Sequence, residues 1–289
     1  MPDFVISALL KIFTKKKNLH QHLAQLRTGG ETIGFVPTMG ALHAGHLSLI
    51  SKAQQHNSKV VCSIFVNPTQ FNDPGDLEKY PRPIATDIEK LEQAGCDILF
   101  NPEVNEMYAG NEQWHLDIGG LEHLLEGKFR PGHYQGVMQI VHKLFSIVEP
   151  DTAFFGQKDY QQFLVIKKMV ELLQLPVKLT MCPILREKDG LAMSSRNIHL
   201  SADHRRHALV LSRTLNWLSE NFDRRNIATQ AAGCAAMINA EEGVTLEYFE
   251  IADGGNLHSA GPDSKCIVAL VAARVGQTRL IDNTILTGN

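Results

Sequence analysis

A repeated alternation of short apolar runs and helical patterns covers the first two-thirds of the sequence. Predicted strands, rich in β-branched or aromatic residues, cover residues 32–36, 59–66, 97–100 and 151–155. Predicted helices, with apolar residues three or four positions apart, cover residues 45–55, 83–95, 133–148 and 159–175. Strands joined by helices run parallel, because such a crossover returns the chain to the same end of the sheet. The pattern therefore predicts an α/β fold with a doubly wound, mostly parallel sheet.

The pattern changes after Pro183, where a polar stretch follows. Two predicted helices come next, at residues 203–221 and 226–240. Three predicted strands then cover residues 245–252, 266–275 and 278–283. The Gly276-Gln277 pair between the last two strands is typical of a hairpin turn. We therefore expect a smaller α+β domain at residues 185–289, after a sheet domain at residues 1–184.

Composition excludes several classes of protein. The chain has 28 Lys+Arg and 31 Asp+Glu residues, a net charge of −3, and 44% hydrophobic residues, so it is neither disordered nor a basic nucleic-acid or membrane-surface binder. The lysine run 15–17 marks a predicted helix start, and we interpret it as a solvated face. The longest apolar run, residues 266–273, is too short to cross a bilayer. The apolar segment 4–10 is also too short for a signal peptide and follows an acidic residue.

Five scattered cysteines point to a reducing compartment. They lie 32 to 86 residues apart with no CxxC pair, which is typical of buried thiols rather than of disulfides or a zinc site. We therefore predict a cytoplasmic protein that has no membrane or nucleic-acid partner and no protein-bound metal site.

The segment Pro37-Thr-Met-Gly-Ala-Leu-His-Ala-Gly-His46 lies between the first predicted strand and the helix that follows it. In an open α/β sheet, ligands bind at the carboxyl ends of strands, and a helix N-terminus offers N–H groups to phosphate. Gly40 and Gly45 permit close approach of the backbone, and the two histidines share a face if the helix begins near them. The segment lacks the lysine and hydroxyl of a P-loop, and no third ligand accompanies the histidines to hold zinc. A pair of packed or surface histidines remains the alternative.

Three further segments carry polar residues at predicted strand or helix ends. Residues 156–159, Gly-Gln-Lys-Asp, follow a strand and open a helix, and Gln162 shares a face with Lys158 if that helix has begun, whereas Gln161 points away. Gln70, in a loop after a strand, can both donate and accept hydrogen bonds. Residues 193–196, Met-Ser-Ser-Arg, offer hydroxyls and a guanidinium. A solvated first turn, a plain turn and a linker are the respective alternatives.

These segments resemble a known family when they are taken in order. His43-Ala-Gly-His46 resembles the HxGH signature of the nucleotidyltransferase superfamily. Five blocks together are similar to the pantothenate synthetase family, from about residue 10 to the end of the chain: Val36-Pro-Thr-Met-Gly40, Phe65-Val-Asn-Pro-Thr-Gln-Phe71, Arg130-Pro-Gly-His133, Phe155-Gly-Gln-Lys-Asp-Tyr-Gln-Gln162 and Met193-Ser-Ser-Arg-Asn197. Residues 1–9 have no counterpart there, and we do not expect function to depend on them.

The resemblance implies an activity. Members of this family make pantothenate from pantoate and β-alanine, using ATP and Mg²⁺ and passing through a pantoyl-adenylate. The resemblance also implies a cytoplasmic homodimer with a Rossmann-like N-terminal domain and a smaller C-terminal domain that closes over the site. Leu10-Lys-Ile-Phe-Thr14 resembles the family's first strand.

The resemblance also implies which residues bind the substrates. Gln70 and Gln162 correspond to contacts with pantoate and β-alanine, with Asn67 a weaker candidate, and His46 corresponds to a catalytic donor. Residues 193–196 resemble the family's mobile KMSKS-like loop, with Arg196 in place of the final lysine. The implied ATP contacts are Met39, Gly40, Ala41, Leu42, His43, Ala44, Gly45, His46, Gly156, Gln157, Lys158, Asp159, Leu185, Met193, Ser194, Ser195 and Arg196.

Two other functions are compatible with the HxGH segment alone. A nucleotidyltransferase would release an activated nucleotide rather than AMP. A regulatory module would bind nucleotide without turnover, although six polar candidate residues in at least three loops are more than simple binding requires. The reaction product distinguishes the three.

Overall fold

The computed structural model describes residues 10–108, 110, 112–261 and 263–286, so residues 1–9 and most of the apolar segment 4–10 lie outside the described residues. The chain divides into two compact units. The first contains the residues up to 156 together with 165–182, and the second contains residues 157–164 together with those from 183 onward.

The first unit is built on a six-stranded sheet. The strands are Lys11–Phe13 (β1), Ile33–Thr38 (β2), Lys59–Ile64 (β3), Ile98–Phe100 (β4), Thr152–Gly156 (β5) and Lys178–Cys182 (β6). All neighbouring pairs are parallel, and the order across the sheet is β1-β4-β3-β2-β5-β6. The predicted α/β, doubly wound parallel sheet is therefore confirmed, and β6 is a strand that the sequence did not predict.

Eight helices connect or follow these strands in the described residues. They are Lys16–Thr28 (α1), Ala44–Gln54 (α2), Pro74–Lys79 (α3), Ile84–Gln93 (α4), Val104–Met107 (α5), Leu125–Phe129 (α6), His133–Val148 (α7) and Tyr160–Leu172 (α8). The predicted helices correspond to α2, α4, α7 and α8 within a few residues. The short helices α3, α5 and α6 are absent from the prediction, because four to six residues cannot display a helical period.

The strand order places a topological switch point between β2 and β5. The chain passes from β2 outward to β3 and β4, and later returns to the other side of β2 to form β5 and β6. Ligands bind outside the carboxyl ends of the strands at such a point. Those ends are Thr38 and Gly156, which immediately precede two of the predicted site segments.

Buried apolar side chains hold the sheet of this unit in place next to that edge. Phe35 and Phe154, on the two strands that flank the switch point, are fully buried. Ile50 and Leu91 pack onto the sheet from α2 and α4 and are also buried. Each such side chain stabilises the fold by about 1.5–3 kcal/mol, so the edge is a rigid platform for the loops above it.

The second unit has its own core. Its main elements are Ala202–Asn221 (α9), Ile227–Asn239 (α10), Val244–Asp253 (β7), Ile267–Val275 (β8) and Thr278–Leu286 (β9). The three strands form an antiparallel sheet in the order β7-β8-β9, and Leu215 and Val271 are fully buried between sheet and helices. Gly276, at φ 57°, makes the hairpin turn, and a side chain there would collide with the His204 ring. The predicted smaller α+β region is confirmed.

No helix in the described part of the chain combines the length and apolar character that spanning a membrane requires.

Candidate active site

The loop after β2 takes a backbone conformation that its sequence is suited to. Gly40 and Ala41 both have positive φ, 82° and 50°. A Cβ atom at Gly40 would lie 2.9 Å from the Ile64 Cγ2 and 3.0 Å from an Asp87 carboxylate oxygen, so only glycine fits. The loop therefore packs directly against the carboxyl ends of the strands before α2 begins.

Helix α4 holds this loop through two charged side chains. The carboxylate of Asp87, which is 1% exposed, accepts hydrogen bonds from the backbone N–H of Ala41 at 2.7 Å and of Leu42 at 2.8 Å. The Lys90 ammonium donates to the Leu42 carbonyl at 2.6 Å. Both side chains bond to the backbone of the predicted ATP-binding segment, so α4 fixes the conformation of that segment.

His43 and His46 lie at the start of α2 with their rings 4.0 Å apart. His43 is the N-cap residue, and its Nδ1 accepts from the Gly45 N–H at 3.2 Å. The Nδ1 of His46 accepts from the His43 N–H at 3.3 Å, which completes a reciprocal capping box. A neutral imidazole that accepts at Nδ1 carries its proton on Nε2. Both rings are therefore set as Nε2–H donors at the carboxyl edge of the sheet.

Gln70 is held in a buried polar cluster. The Asn67 side chain, which is 1% exposed, donates to Gln70 Oε1 at 3.2 Å. The Tyr108 hydroxyl donates to Asn67 Oδ1 at 2.6 Å, and burial raises the pKa of that phenol. Gln70 Nε2 in turn donates to the Met39 sulfur at 3.0 Å. The structure therefore places Gln70 beside the 39–46 segment and fixes which end of its amide donates.

The backbone of Gln70 is also fixed. His133, a buried residue at the start of α7, donates from Nδ1 to the Gln70 carbonyl at 2.8 Å. Arg130 lies 3.1 Å from the Nε2 of the same ring and donates to it, which is consistent with the proton residing on Nδ1. The Arg130-Pro-Gly-His133 block thus supports Gln70.

In the second unit, residues 157–159 form a 3₁₀ turn and α8 begins only at Tyr160. Lys158 therefore precedes the α-helix. A face shared with Gln162 requires a helix that has already begun at Lys158, so the two side chains do not share one. Gln162 is half-buried in the first turn of α8, and Gln161 is 2% exposed. The Lys158 ammonium lies 3.7 Å from the Asp159 carboxylate.

The polar stretch after Pro183 is a hairpin-like turn. The Met193 N–H donates to the Leu185 carbonyl at 3.0 Å, which brings these two predicted ATP contacts together. Ser194 caps the 3₁₀ turn at Ser195–His199 by accepting from the Arg196 N–H at 3.3 Å. This turn is ordered by the chain's own hydrogen bonds.

Arg205 of α9 anchors the same turn. Its guanidinium bonds the Glu187 carboxylate at 2.6 Å and the Asp189 carboxylate at 2.7 Å. The bond to Arg205 lowers the pKa of Asp189. Asn197 donates to Glu187 at 2.7 Å and so joins the far end of the segment to the same cluster.

Among the residues that the structure describes, no three His, Cys, Asp or Glu side chains cluster to form a metal site.

Comparison with known proteins decides the family. The family model described as pantoate-beta-alanine ligase matches residues 11–285. A pantothenate synthetase of Bacteroides thetaiotaomicron is 44% identical over 277 residues, covering 95% of this chain and 98% of the relative. One from Roseiflexus sp. is 46% identical over 270 residues, covering 91% and 97%. The chain belongs to the pantoate–β-alanine ligase family.

Solved structures of such ligases share the fold. Pantothenate synthetase from Thermus thermophilus superposes with a TM-score of 0.87 at 39% identity, covering 95% of this chain and 99% of that one. Pantoate-beta-alanine ligase from Francisella tularensis, complexed with beta-gamma ATP and beta-alanine, has a TM-score of 0.79 at 34% identity, covering 96% and 97%. These likenesses extend over both units.

Sequence reasoning missed several side chains that shape the segments of this ligase. Asp87 carried a readable signal, because it stands three residues after Ile84 and four before Leu91, on the apolar stripe of α4. A carboxylate on a buried stripe needs a partner. Tyr108 and Arg205 carried no such signal, since their partners are distant in sequence.

Proposed function

We propose that this ligase joins pantoate and β-alanine to form pantothenate, with ATP converted to AMP and pyrophosphate through a pantoyl-adenylate. Family membership supports the overall reaction. The observation that carries the mechanism is the pair of histidines at the switch point, because both rings are set to donate from Nε2. Donors fixed at a sheet edge are suited to binding phosphate oxygens.

In the first step, a pantoate carboxylate oxygen attacks the α-phosphorus of ATP. A P–O bond forms to the carboxylate, the bond to the β-phosphate oxygen breaks, and pyrophosphate leaves with that electron pair. No side-chain nucleophile is required, so catalysis rests on positioning and charge stabilisation. We propose that His46 and Lys158 stabilise the charge that develops on the α-phosphate as the adenylyl group is transferred, and that Ser194, Ser195 and Arg196 stabilise the leaving pyrophosphate.

In the second step, the β-alanine amine attacks the acyl carbon of the adenylate. The new C–N bond displaces AMP, and the amine loses a proton. We propose that Gln70 and Gln162 orient pantoate through its carboxylate and hydroxyls. The cluster around Asn67 supports this role for Gln70, because it commits Oε1 and leaves Nε2 as the donor.

Magnesium is part of the proposal through ATP. Mg²⁺ keeps several waters and is commonly held by substrate phosphates with one or two carboxylates, so it does not need a cage of protein ligands. That mode of binding fits a chain whose described residues hold no cluster of three metal ligands. The ion would neutralise charge on the phosphates.

The remaining assignments are proposals that rest on family resemblance. We propose that the sheet domain, residues 1–184, carries the ATP and pantoate contacts, together with Leu185 and residues 193–196 of a smaller lid domain at residues 185–289. We also propose that the enzyme is a cytoplasmic homodimer.

Pyrophosphate exchange tests the mechanism. Labelled pyrophosphate should enter ATP when pantoate is present and β-alanine is absent, because the first step is then reversible on the enzyme. Omission of pantoate is the control and should abolish exchange. An absence of exchange at any pantoate concentration would rule out the adenylate. Release of a stable nucleotide product in place of AMP would instead indicate a nucleotidyltransferase.

A further inference from the structure

Two adjacent polar residues of β9 are buried where the strand meets the proposed ATP-binding segments. Asn283 is 2% exposed and Asp282 is 4% exposed. Their strand partners on β8 are Leu270 and Val271, which are apolar. Neighbouring residues of a strand point to opposite faces of the sheet, so the side chains of Asp282 and Asn283 have different surroundings. Because each is polar and buried, each needs its own partner outside the strand ladder.

Asn283 is fully committed to the turn at residues 157–159. Its Nδ2 donates to the Gln157 carbonyl at 3.0 Å and to the Lys158 carbonyl at 2.9 Å. Its Oδ1 accepts from the Gln157 side-chain amide at 3.1 Å. These three bonds require an amide in one orientation, because only an NH₂ group donates to two carbonyls at once.

Asp282 is committed to the other segment. Its two carboxylate oxygens accept from the Arg186 guanidinium at 2.6 and 3.1 Å, in a bidentate pair. Arg186 also donates to the Gly190 carbonyl at 3.2 Å, which closes the turn that follows Leu185. Burial raises the pKa of the Asp282 carboxyl, while the charges of Arg186 and, more weakly, Lys158 oppose that rise.

We propose that Asp282 and Asn283 are positioning residues for ATP: Asn283 sets the Gln157-Lys158 turn and Asp282 sets the segment that begins at Leu185. This inference rests on the proposed function, which assigns ATP contacts to both segments. One dipeptide on a rigid strand thus places two segments that are almost thirty residues apart in sequence. Asn283 bonds only the backbone carbonyl of Lys158 and makes no contact with its ammonium, which pairs with Asp159 at 3.7 Å.

The test uses Asn283→Asp in the full-length chain. The substitution keeps the size of the side chain but replaces the NH₂ donor by an oxygen that faces two carbonyls. A displacement of about 1 Å in catalytic groups can cost about 10²-fold in rate. We expect kcat/KM for ATP and the affinity for ATP in calorimetry to fall about 10- to 100-fold. KM for β-alanine should change less than about threefold, because only the ATP-binding segments move.

A pH profile distinguishes positioning from loss of fold. Protonation of the introduced carboxyl at low pH restores one O–H donor, so the ratio of variant to native activity should rise from pH 8 to pH 6. Asn283→Ala has no such group and should show a flat ratio. Thr284→Ala, on the same strand and half-buried, is the matched control and should keep native affinity for ATP.

The outcomes are separable from those of the proposed function. If native enzyme shows no pantoate-dependent exchange, the proposed function fails whatever the variants do. If native enzyme exchanges and both Asn283 variants bind ATP within twofold of native, the positioning role is refuted. A uniform loss of activity toward all substrates, with a lowered melting temperature and a flat pH ratio, would also refute it, because that result describes a folding role.

Discussion

At the scale of single residues, the two histidines of the HxGH segment combine a structural and a chemical role. His46 accepts the His43 N–H through Nδ1 and thereby stabilises the start of α2, and a neutral ring that accepts there carries its proton on Nε2. Replacing it with alanine removes both roles at once. Replacing it with glutamine keeps an acceptor at the third helical position, which is the usual partner in a capping box.

We therefore predict different outcomes for His46→Ala and His46→Gln. Both should lower the rate of adenylation by about 10²–10³, as loss of an electrostatic donor does. Only the alanine variant should also lose about 1 kcal/mol of stability, the usual contribution of an N-cap interaction. Single-turnover adenylation and urea denaturation measure the two effects. Near-normal turnover in the alanine variant, which has neither a donor nor an acceptor, would show that His46 is only a capping residue.

The sequence predicted which segments carry the candidate site residues, but it did not predict the hydrogen bonds that these residues make. The sequence predicted that His43 and His46 lie together at a helix start, as the structure has them. It could not predict that each Nδ1 caps the helix, since that depends on side-chain rotamers. It linked Lys158 and Gln162 on one face only if the helix had already begun, and the 3₁₀ turn at residues 157–159 does not meet that condition.

At the scale of elements, α4 determines the shape of the loop after β2. The Asp87 carboxylate uses both oxygens to bind the N–H groups of Ala41 and Leu42, in a loop with positive φ at Gly40 and Ala41. An unpaired buried N–H costs about 1–3 kcal/mol. The helix therefore holds the loop in a conformation that the loop sequence alone would not maintain.

We predict that Asp87→Asn lowers the adenylation rate at least tenfold and destabilises the fold by about 1–3 kcal/mol. The amide has one acceptor oxygen and an NH₂ group that faces the second N–H, so one donor loses its partner. Glu89→Gln, on the exposed face of the same helix, is the matched control and should behave as native. Pyrophosphate exchange and thermal unfolding measure both effects. Equal exchange rates in the two variants would show that α4 does not position the loop.

Elements with a clear period were predictable, whereas short and half-exposed ones were not. The α7 boundaries, His133–Val148, were predicted to the residue because eleven of its positions are buried in a continuous helical pattern. The edge strand β6 was missed, because its five residues lie between Pro176 and Pro183 and only Cys182 is buried. Its pairing with β5, a tertiary contact, is what makes it a strand.

At the scale of the whole molecule, burial of thiols links stability to pH. All five cysteines are free thiols, and four of them are buried. Burial raises the pKa of Cys96 to about 12 and that of Cys234 to about 11. In the unfolded chain these thiols ionise near pH 8.5. Between these values the unfolded state binds fewer protons than the folded state, so stability falls as the pH rises.

The alkaline limb of the stability curve should therefore depend on Cys234, which lies in the core of the second unit. Its folded pKa exceeds its unfolded value, so its contribution is fully present below about pH 8.5 and is lost as the pH rises toward about 11. The rise to about 11 corresponds to a loss on the order of 3 kcal/mol, at about 1.4 kcal/mol per pKa unit.

Cys234→Ala removes that titration, so we predict a flatter decline in its unfolding free energy between pH 8.5 and pH 11 than in native protein. Urea denaturation under reducing conditions at several pH values measures the slope. Ser212→Ala, which also deletes one heavy atom from a buried site in this unit but removes no titrating group, is the control. Its slope should match the native slope even if its stability is lower. Parallel slopes for all three proteins would mean that burial does not raise the pKa of Cys234 and that this thiol does not limit alkaline stability.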